Sequence, residues 1–188
     1  MEVVLVRHGE TEWSRELKHT GRTDVPLTED GERQARLVGE ALRGRRFALV
    51  LASPLQRALE TAKLAGFGNE LQTRDDLREW DYGDYEGRRT EEIRREVPGW
   101  TIWTGTPPNG ESAEQVCARA DRVLDEVRRS DGDVLVFGHG HSLRVLAARW
   151  LGLGPADGRL FVLDPATLSN LGYERETSVI RRWNELID

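Results

Sequence analysis

The sequence predicts an α/β fold, and two observations carry that prediction. Three short apolar runs, Val3 to Val6, Phe47 to Ala52 and Val134 to Phe137, are aliphatic or β-branched without polar alternation. That pattern suits strands of a parallel sheet buried on both faces. Longer stretches with helical spacing lie between these runs, so strand and helix alternate along the chain. The 188 residues are the length of roughly one domain, and residues 1–188 are read as one unit with enough apolar content for a single core.

Each element has its own signal. Val3 to Val6 is the first strand. Thr28 caps a helix running to about Arg43, with Ala35, Val38 and Leu42 at helical spacing and Gly44 as its stop. Phe47 to Ala52 is the second strand. Ser53-Pro54 supplies a cap and a first-turn proline, opening a helix to about Ala65. Residues 80–111 are rich in Trp, Gly and Pro and are expected to leave the sheet as a cap-like excursion over a site. Ser112 with Gln115 forms a capping box ahead of a helix ending near Ser130. Val134 to Phe137 is the third buried strand. Ser142 to Leu151 is a helix stopped by Gly152 and Gly154, and Leu168 to Tyr173 and Ser178 to Trp183 read as two strands around an Arg-Glu-Thr turn.

Composition narrows the function. Lys and Arg number 27 against 33 Asp and Glu, a net charge of -6, which disfavours nucleic acid and anionic membrane as partners because phosphate neutralisation dominates such binding. The basic residues are nearly all arginine, with only Lys18 and Lys63 as lysines, and they are scattered along the chain. Cys117 is the single cysteine, so intrachain disulfides and multi-cysteine zinc sites are excluded, and it is expected to be an inert packed residue. No apolar run approaches the roughly 18 residues of a membrane span. The opening residues lack a basic stretch followed by an apolar one, so a cytoplasmic location is expected. A homodimer stays open.

The unusual residues fall at strand ends. The first strand runs into Arg7-His8-Gly9, the third buried strand into Gly138-His139-Gly140-His141, and the second leads through Ser53-Pro54 to Arg57 on the first turn of the next helix. Ligands of open parallel sheets bind outside the carboxyl ends of strands, so two arginines and two histidines are expected to face one crevice. Glycines beside both histidines, Gly140 among them, allow close backbone approach to an anion. Arginine forks match phosphate or carboxylate oxygens, and two of them at one site disfavour a divalent cation. No metal or other cofactor is therefore expected, and a His139/His141 metal pair is disfavoured. The grouping suits phosphoryl transfer, with one histidine attacking and the other hydrogen-bonding the transferred group. Trp80, Trp100 and Trp103 are candidate pocket walls or plain packing, His19 is expected in a loop or at a rim, and His141 outside the reacting centre.

Arg7-His8-Gly9-Glu10-Thr11 resembles the signature of the histidine phosphatase superfamily, the phosphoglycerate-mutase-like proteins. The resemblance continues through Gly21-Arg22-Thr23-Asp24-Val25-Pro26-Leu27-Thr28, Ser53-Pro54-Leu55-Gln56-Arg57-Ala58, Leu77-Arg78-Glu79, Gly110-Glu111-Ser112 and Gly138-His139-Gly140. It implies a three-layer α/β/α fold around a mostly parallel mixed sheet. It also implies phosphorylation of His8, a phosphate held by Arg7, Arg57 and His139, and Glu79 as proton donor. The segments Arg78-Glu79-Trp80-Asp81-Tyr82-Gly83-Asp84-Tyr85-Glu86-Gly87 and Gly138-His139-Gly140-His141-Ser142-Leu143-Arg144 resemble most closely the sedoheptulose bisphosphatase branch and actinobacterial acid phosphatases. By that resemblance Thr20, Gly21, Tyr82 and Arg144 are expected substrate contacts, with Ser14, which stands where mutases usually carry Asn, beside them. The implied activity is metal-independent hydrolysis of small phosphorylated metabolites, sugar phosphates or bisphosphates. A cofactor-dependent phosphoglycerate mutase and an inactive phospho-ligand adaptor are the alternatives.

Overall fold

The computed structural model describes residues 1–187. Six strands form one sheet: β1 (Val3–Arg7), β2 (Leu49–Ala52), β3 (Leu71–Thr73), β4 (Val134–Gly138), β5 (Leu168–Glu174) and β6 (Thr177–Glu185). Their spatial order is β3-β2-β4-β1-β5-β6. The first four are mutually parallel, whereas β5 runs antiparallel to β1 and pairs with β6 as a hairpin. The mixed, mostly parallel sheet expected from the sequence is the one observed.

Strand alternation divides the core in two. Val3, Leu5, Leu51, Val134 and Val136 face one layer, built on α5 (Ala113–Arg128) and α6 (Gly140–Trp150) and containing Val123, Leu124, Leu146 and Trp150. Val4, Val6, Val50, Ala52, Leu135 and Phe137 face the other, where α2 (Glu29–Ala41) contributes Val38 and α3 (Gln56–Leu64) contributes Ala62. Both faces of the central strands are buried, which is why these runs lack polar alternation. Two shorter helices, α1 (Glu12–Arg15) and α4 (Thr90–Glu96), lie in the connections.

Two helix starts differ from expectation. Ser53 does not cap α3. The helix begins at Gln56 after Leu55, which has no side-chain cap, while the buried Ser53 hydroxyl accepts from the Leu55 amide at 3.3 Å. α6 begins at Gly140, not Ser142. A carboxylate from far along the chain, Glu79, takes the first-turn amides that a local cap would serve. The capping box of Ser112 and Gln115 and the Thr28 cap are formed as expected. The strand β3 and the helix α4 had no counterpart in the sequence reading.

Candidate active site

Strand register assembles the centre. β1 and β4 pair with Arg7 opposite Gly138, so the next residues, His8 and His139, leave adjacent strand ends together. The His8 amide donates to the Gly138 carbonyl at 3.0 Å, and the two imidazole centroids lie 5.2 Å apart at 60°. Both rings are buried.

Hydrogen bonds fix opposite tautomers on the two rings. His8 Nδ1 lies 2.7 Å from the Gly9 carbonyl, which can only accept, so Nδ1 carries the proton and Nε2 keeps a free lone pair. His139 Nδ1 lies 3.1 Å from Arg57 Nε, which can only donate, so the His139 proton sits on Nε2. That N–H is buried without a partner among the described residues, as is Arg7 Nε. Buried donors without acceptors each cost about 1–3 kcal/mol, so two unpartnered N–H groups at this centre suit an anionic ligand. Burial, then the charges of Arg57 and Arg7, hold the His8 pKa well below 6.5. Burial and Arg57 do the same to His139. Both rings are neutral at neutral pH.

The arginines are held differently. Arg7 donates through Nη1 to the Leu163 carbonyl at 2.5 Å. Gly140 leaves space for its guanidinium, since a Cβ there would sit 3.3 Å from Arg7 Cζ. Arg57 is wholly buried and gives three further N–H donors to the carbonyls of Thr20, Gly21 and Thr23, each at 3.0 Å. It frames His139 and the 20–23 loop from behind.

Glu79 sits across the start of α6. Oε1 accepts from the amides of Trp80 and Ser142, each at 2.8 Å, and Oε2 accepts from that of His141 at 2.9 Å. Oε2 therefore retains a free lone pair. The segment that carries it is clamped by Arg119, which donates to the carbonyls of Asp76, Arg78 and Glu79 and pairs with both oxygens of Glu111. Glu111 in turn accepts from the Asp81 amide at 2.9 Å.

A cleft of about 880 Å³ opens on this centre. Arg7, His8, Ser14, Thr20, Glu79, Tyr82, Gly140 and Arg144 all line it. Arg57 and His139 stand behind its lining, and Gly21 stands outside it, its amide held at 2.7 Å by Glu86 Oε1. The three hydroxyls expected to meet substrate already have protein partners. Ser14 Oγ exchanges hydrogen bonds with the Thr11 backbone, Thr20 Oγ1 donates to the Lys18 carbonyl, and Tyr82 Oη lies 2.6 Å from His141 Nδ1. Arg144, which lines the cleft, stacks on Trp103 at 4.5 Å and donates Nε to the Gly158 carbonyl.

The sequence reading missed three features. His19 lies in a loop, as expected, and lines the cleft, but it is buried against Tyr82 and Trp100 and bonded to Thr90 Oγ1 at 3.1 Å. His141 lines the cleft beside Trp103, a placement that the His-Gly-His spacing could have signalled. The Arg119–Glu111 clamp had only the Gly110-Glu111-Ser112 motif to announce it.

Comparison with known proteins agrees with this geometry. The family model described as histidine phosphatase superfamily (branch 1) matches residues 3–186. An acid phosphatase of Mycobacterium tuberculosis is 44% identical over 177 residues, covering 92% of this chain and 86% of that protein. The sedoheptulose 1,7-bisphosphatase of Saccharomyces cerevisiae is 39% identical, covering 80% of this chain and 68% of that one. Among solved structures, the product of a Mycobacterium tuberculosis open reading frame superposes with a TM-score of 0.94 at 38% identity, over 100% of this chain and 98% of that one. A mycobacterial glucosyl-3-phosphoglycerate phosphatase in complex with VO3 gives a TM-score of 0.87 at 28% identity, over 98% of each chain.

Proposed function

The chain belongs to the histidine phosphatase superfamily and is a phosphoric monoester hydrolase, and from that premise we propose that it hydrolyses small sugar phosphates or bisphosphates through a phosphohistidine, without a metal. The observation that carries this reading is the opposed pair of tautomers: a lone pair on His8 Nε2 beside an unpartnered N–H on His139 Nε2. The His8 lone pair attacks phosphorus, and the bond from phosphorus to the ester oxygen breaks. A proton held on Glu79 Oε2 passes to the departing oxygen. Glu79, now a carboxylate, takes a proton from water, whose oxygen attacks phosphorus and breaks the P–N bond, releasing phosphate and free His8. His139 Nε2–H and the Arg7 guanidinium stabilise the charge on the phosphoryl oxygens throughout. Arg57 keeps His139 in the donating tautomer and adds its charge from behind. The segment 80–111 serves as the cap over the leaving group.

Arg144 is the residue that distinguishes bisphosphates from monophosphates in this scheme. Its terminal nitrogens have no acidic partner among the described residues, and a charge-assisted contact to a second phosphate is worth about 1.5–3 kcal/mol. Phosphate release from sedoheptulose and fructose bisphosphates and their monophosphates, measured in EDTA, tests the reading. Arg144→Ala is expected to lower kcat/KM for bisphosphates by roughly tenfold to a hundredfold and to leave the ratio among monophosphates alike. Equal losses on both classes, or turnover that requires added zinc or manganese, would contradict it. Isomerisation of 3-phosphoglycerate without net phosphate release would point to a mutase.

A further inference from the structure

His141 takes no part in the chemical steps above, yet it faces the leaving-group side of the cleft. Its backbone amide donates to Glu79 Oε2, so its side chain starts beside the proposed proton donor. The ring is enclosed by Trp103, Tyr82, His19 and Trp80, with centroids 5.1, 5.9, 6.0 and 6.4 Å away.

Its tautomer is also set. Tyr82 is buried, and burial beside Glu79 pushes the phenol pKa well above 10, so Oη keeps its proton. Among the described residues His141 Nδ1, at 2.6 Å, is the only acceptor for that proton. The phenol donates, Nδ1 accepts, and the ring proton of neutral His141 lies on Nε2. Burial and then the Arg144 charge hold the His141 pKa well below 6.5, which keeps the ring in this neutral form. Among the described residues Nε2–H has no protein partner, and it is open to the cleft that the residue lines.

We propose that His141 is a specificity residue that reads the alcohol part of the substrate, donating Nε2–H to a hydroxyl oxygen near the scissile ester. Tyr82 acts through it, as the group that holds the donating tautomer. A polyol phosphate places an acceptor at this N–H, whereas a plain alkyl phosphate leaves it to water. The contact a free Tyr82 hydroxyl would have made is thereby transferred to an imidazole. The inference rests on the phosphatase reading of the cleft and deepens it by naming what the leaving group must carry.

The test compares glycerol 1-phosphate with 1-propyl phosphate, which differ in hydroxyls but not in ester type. Wild type is expected to favour the glycerol ester in kcat/KM. His141→Phe should reduce that preference by roughly three- to tenfold, the range of one neutral hydrogen bond. His141→Gln, whose side-chain amide can present a donor near the position of Nε2, should restore part of it. Tyr82→Phe should give an intermediate loss, because the imidazole proton is then free to move to Nδ1. A preference unchanged in His141→Phe, or a His141→Gln variant no better than His141→Phe, would overturn this inference while leaving the phosphatase reading intact. Absence of phosphate release from both esters, and from every other phosphomonoester, would overturn the two together.

Discussion

Neutrality is what the proposed mechanism asks of a histidine nucleophile between two arginines. In water an imidazole gains a proton near pH 6.5, but burial, Arg57 and Arg7 all oppose that second proton on His8. A lowered pKa means the lone pair on Nε2 survives as the pH falls, and it is lost only below the folded value. The acid limb of kcat/KM is therefore expected below the ordinary histidine range, with activity retained at pH 5.5. A pH–rate profile from pH 4 to 8 checks this, and an acid limb breaking at 6.5 would contradict it. The residues of this centre were legible because their positions were. Arg7, His8 and His139 lie within two residues of the ends of apolar runs, and strands deliver their carboxyl ends to one edge. Tyr82 shows the limit of such reading. The sequence gives a phenol near the site but not the imidazole 2.6 Å away that occupies its hydroxyl.

At the level of elements, the start of α6 and the 76–81 segment are one device. The helix offers first-turn amides and lacks a cap of its own, and Glu79 fills that vacancy while being fixed by it. Arg119 holds the other side of the segment through three carbonyls and Glu111. Glu79→Gln is expected to lose roughly a hundredfold or more in kcat on alkyl phosphates, and less on p-nitrophenyl phosphate, whose leaving group hardly needs a proton. Arg119→Met should lower kcat roughly tenfold to a hundredfold by misplacing the carboxyl. If Arg119 acts through Glu79, the double variant will be scarcely slower than Glu79→Gln alone. Losses that multiply would show that Arg119 has some other role. The same device explains why the α6 boundary was misread from sequence. Ser142 has the composition of a cap, but the cap comes from a residue 63 positions earlier. β3 was missed for a different reason: only Leu71 of its three residues is even half-buried, so it carries no apolar pattern. Helices capped by neighbouring residues, α2 by Thr28 and α5 by Ser112, were legible because cap and helix share one stretch of chain.

Across the whole molecule, all four histidines have lowered pKa values: His8, His139 and His141 well below 6.5, and His19, by burial, to about 4. The unfolded chain therefore takes up protons near pH 6.5 that the folded chain refuses. Stability is full above that pH and is lost progressively as pH falls toward the folded values. His19 alone accounts for about 3 kcal/mol between pH 6.5 and 4, from its shift at about 1.4 kcal/mol for each pH unit. Urea midpoints are expected to fall steeply between pH 7 and pH 5, and His19→Phe should flatten that slope. Midpoints independent of pH over this window would contradict the burial of neutral histidines. Nothing in the composition forecast this property. Four histidines are unremarkable as a count, and only the three-dimensional packing of His19 against Tyr82 and Trp100 removes it from water. The fold class, by contrast, was legible from the alternation of buried strands and helices alone.

The covalent role proposed for His8 is tested most directly by trapping. Wild-type protein mixed with a phosphate-labelled sugar phosphate and quenched rapidly without acid is expected to carry label on His8, stable in base and lost in acid, as a phosphorus–nitrogen bond requires. His8→Ala should carry none and release no phosphate. Label absent from wild type during turnover, or full turnover by His8→Ala, would contradict the account.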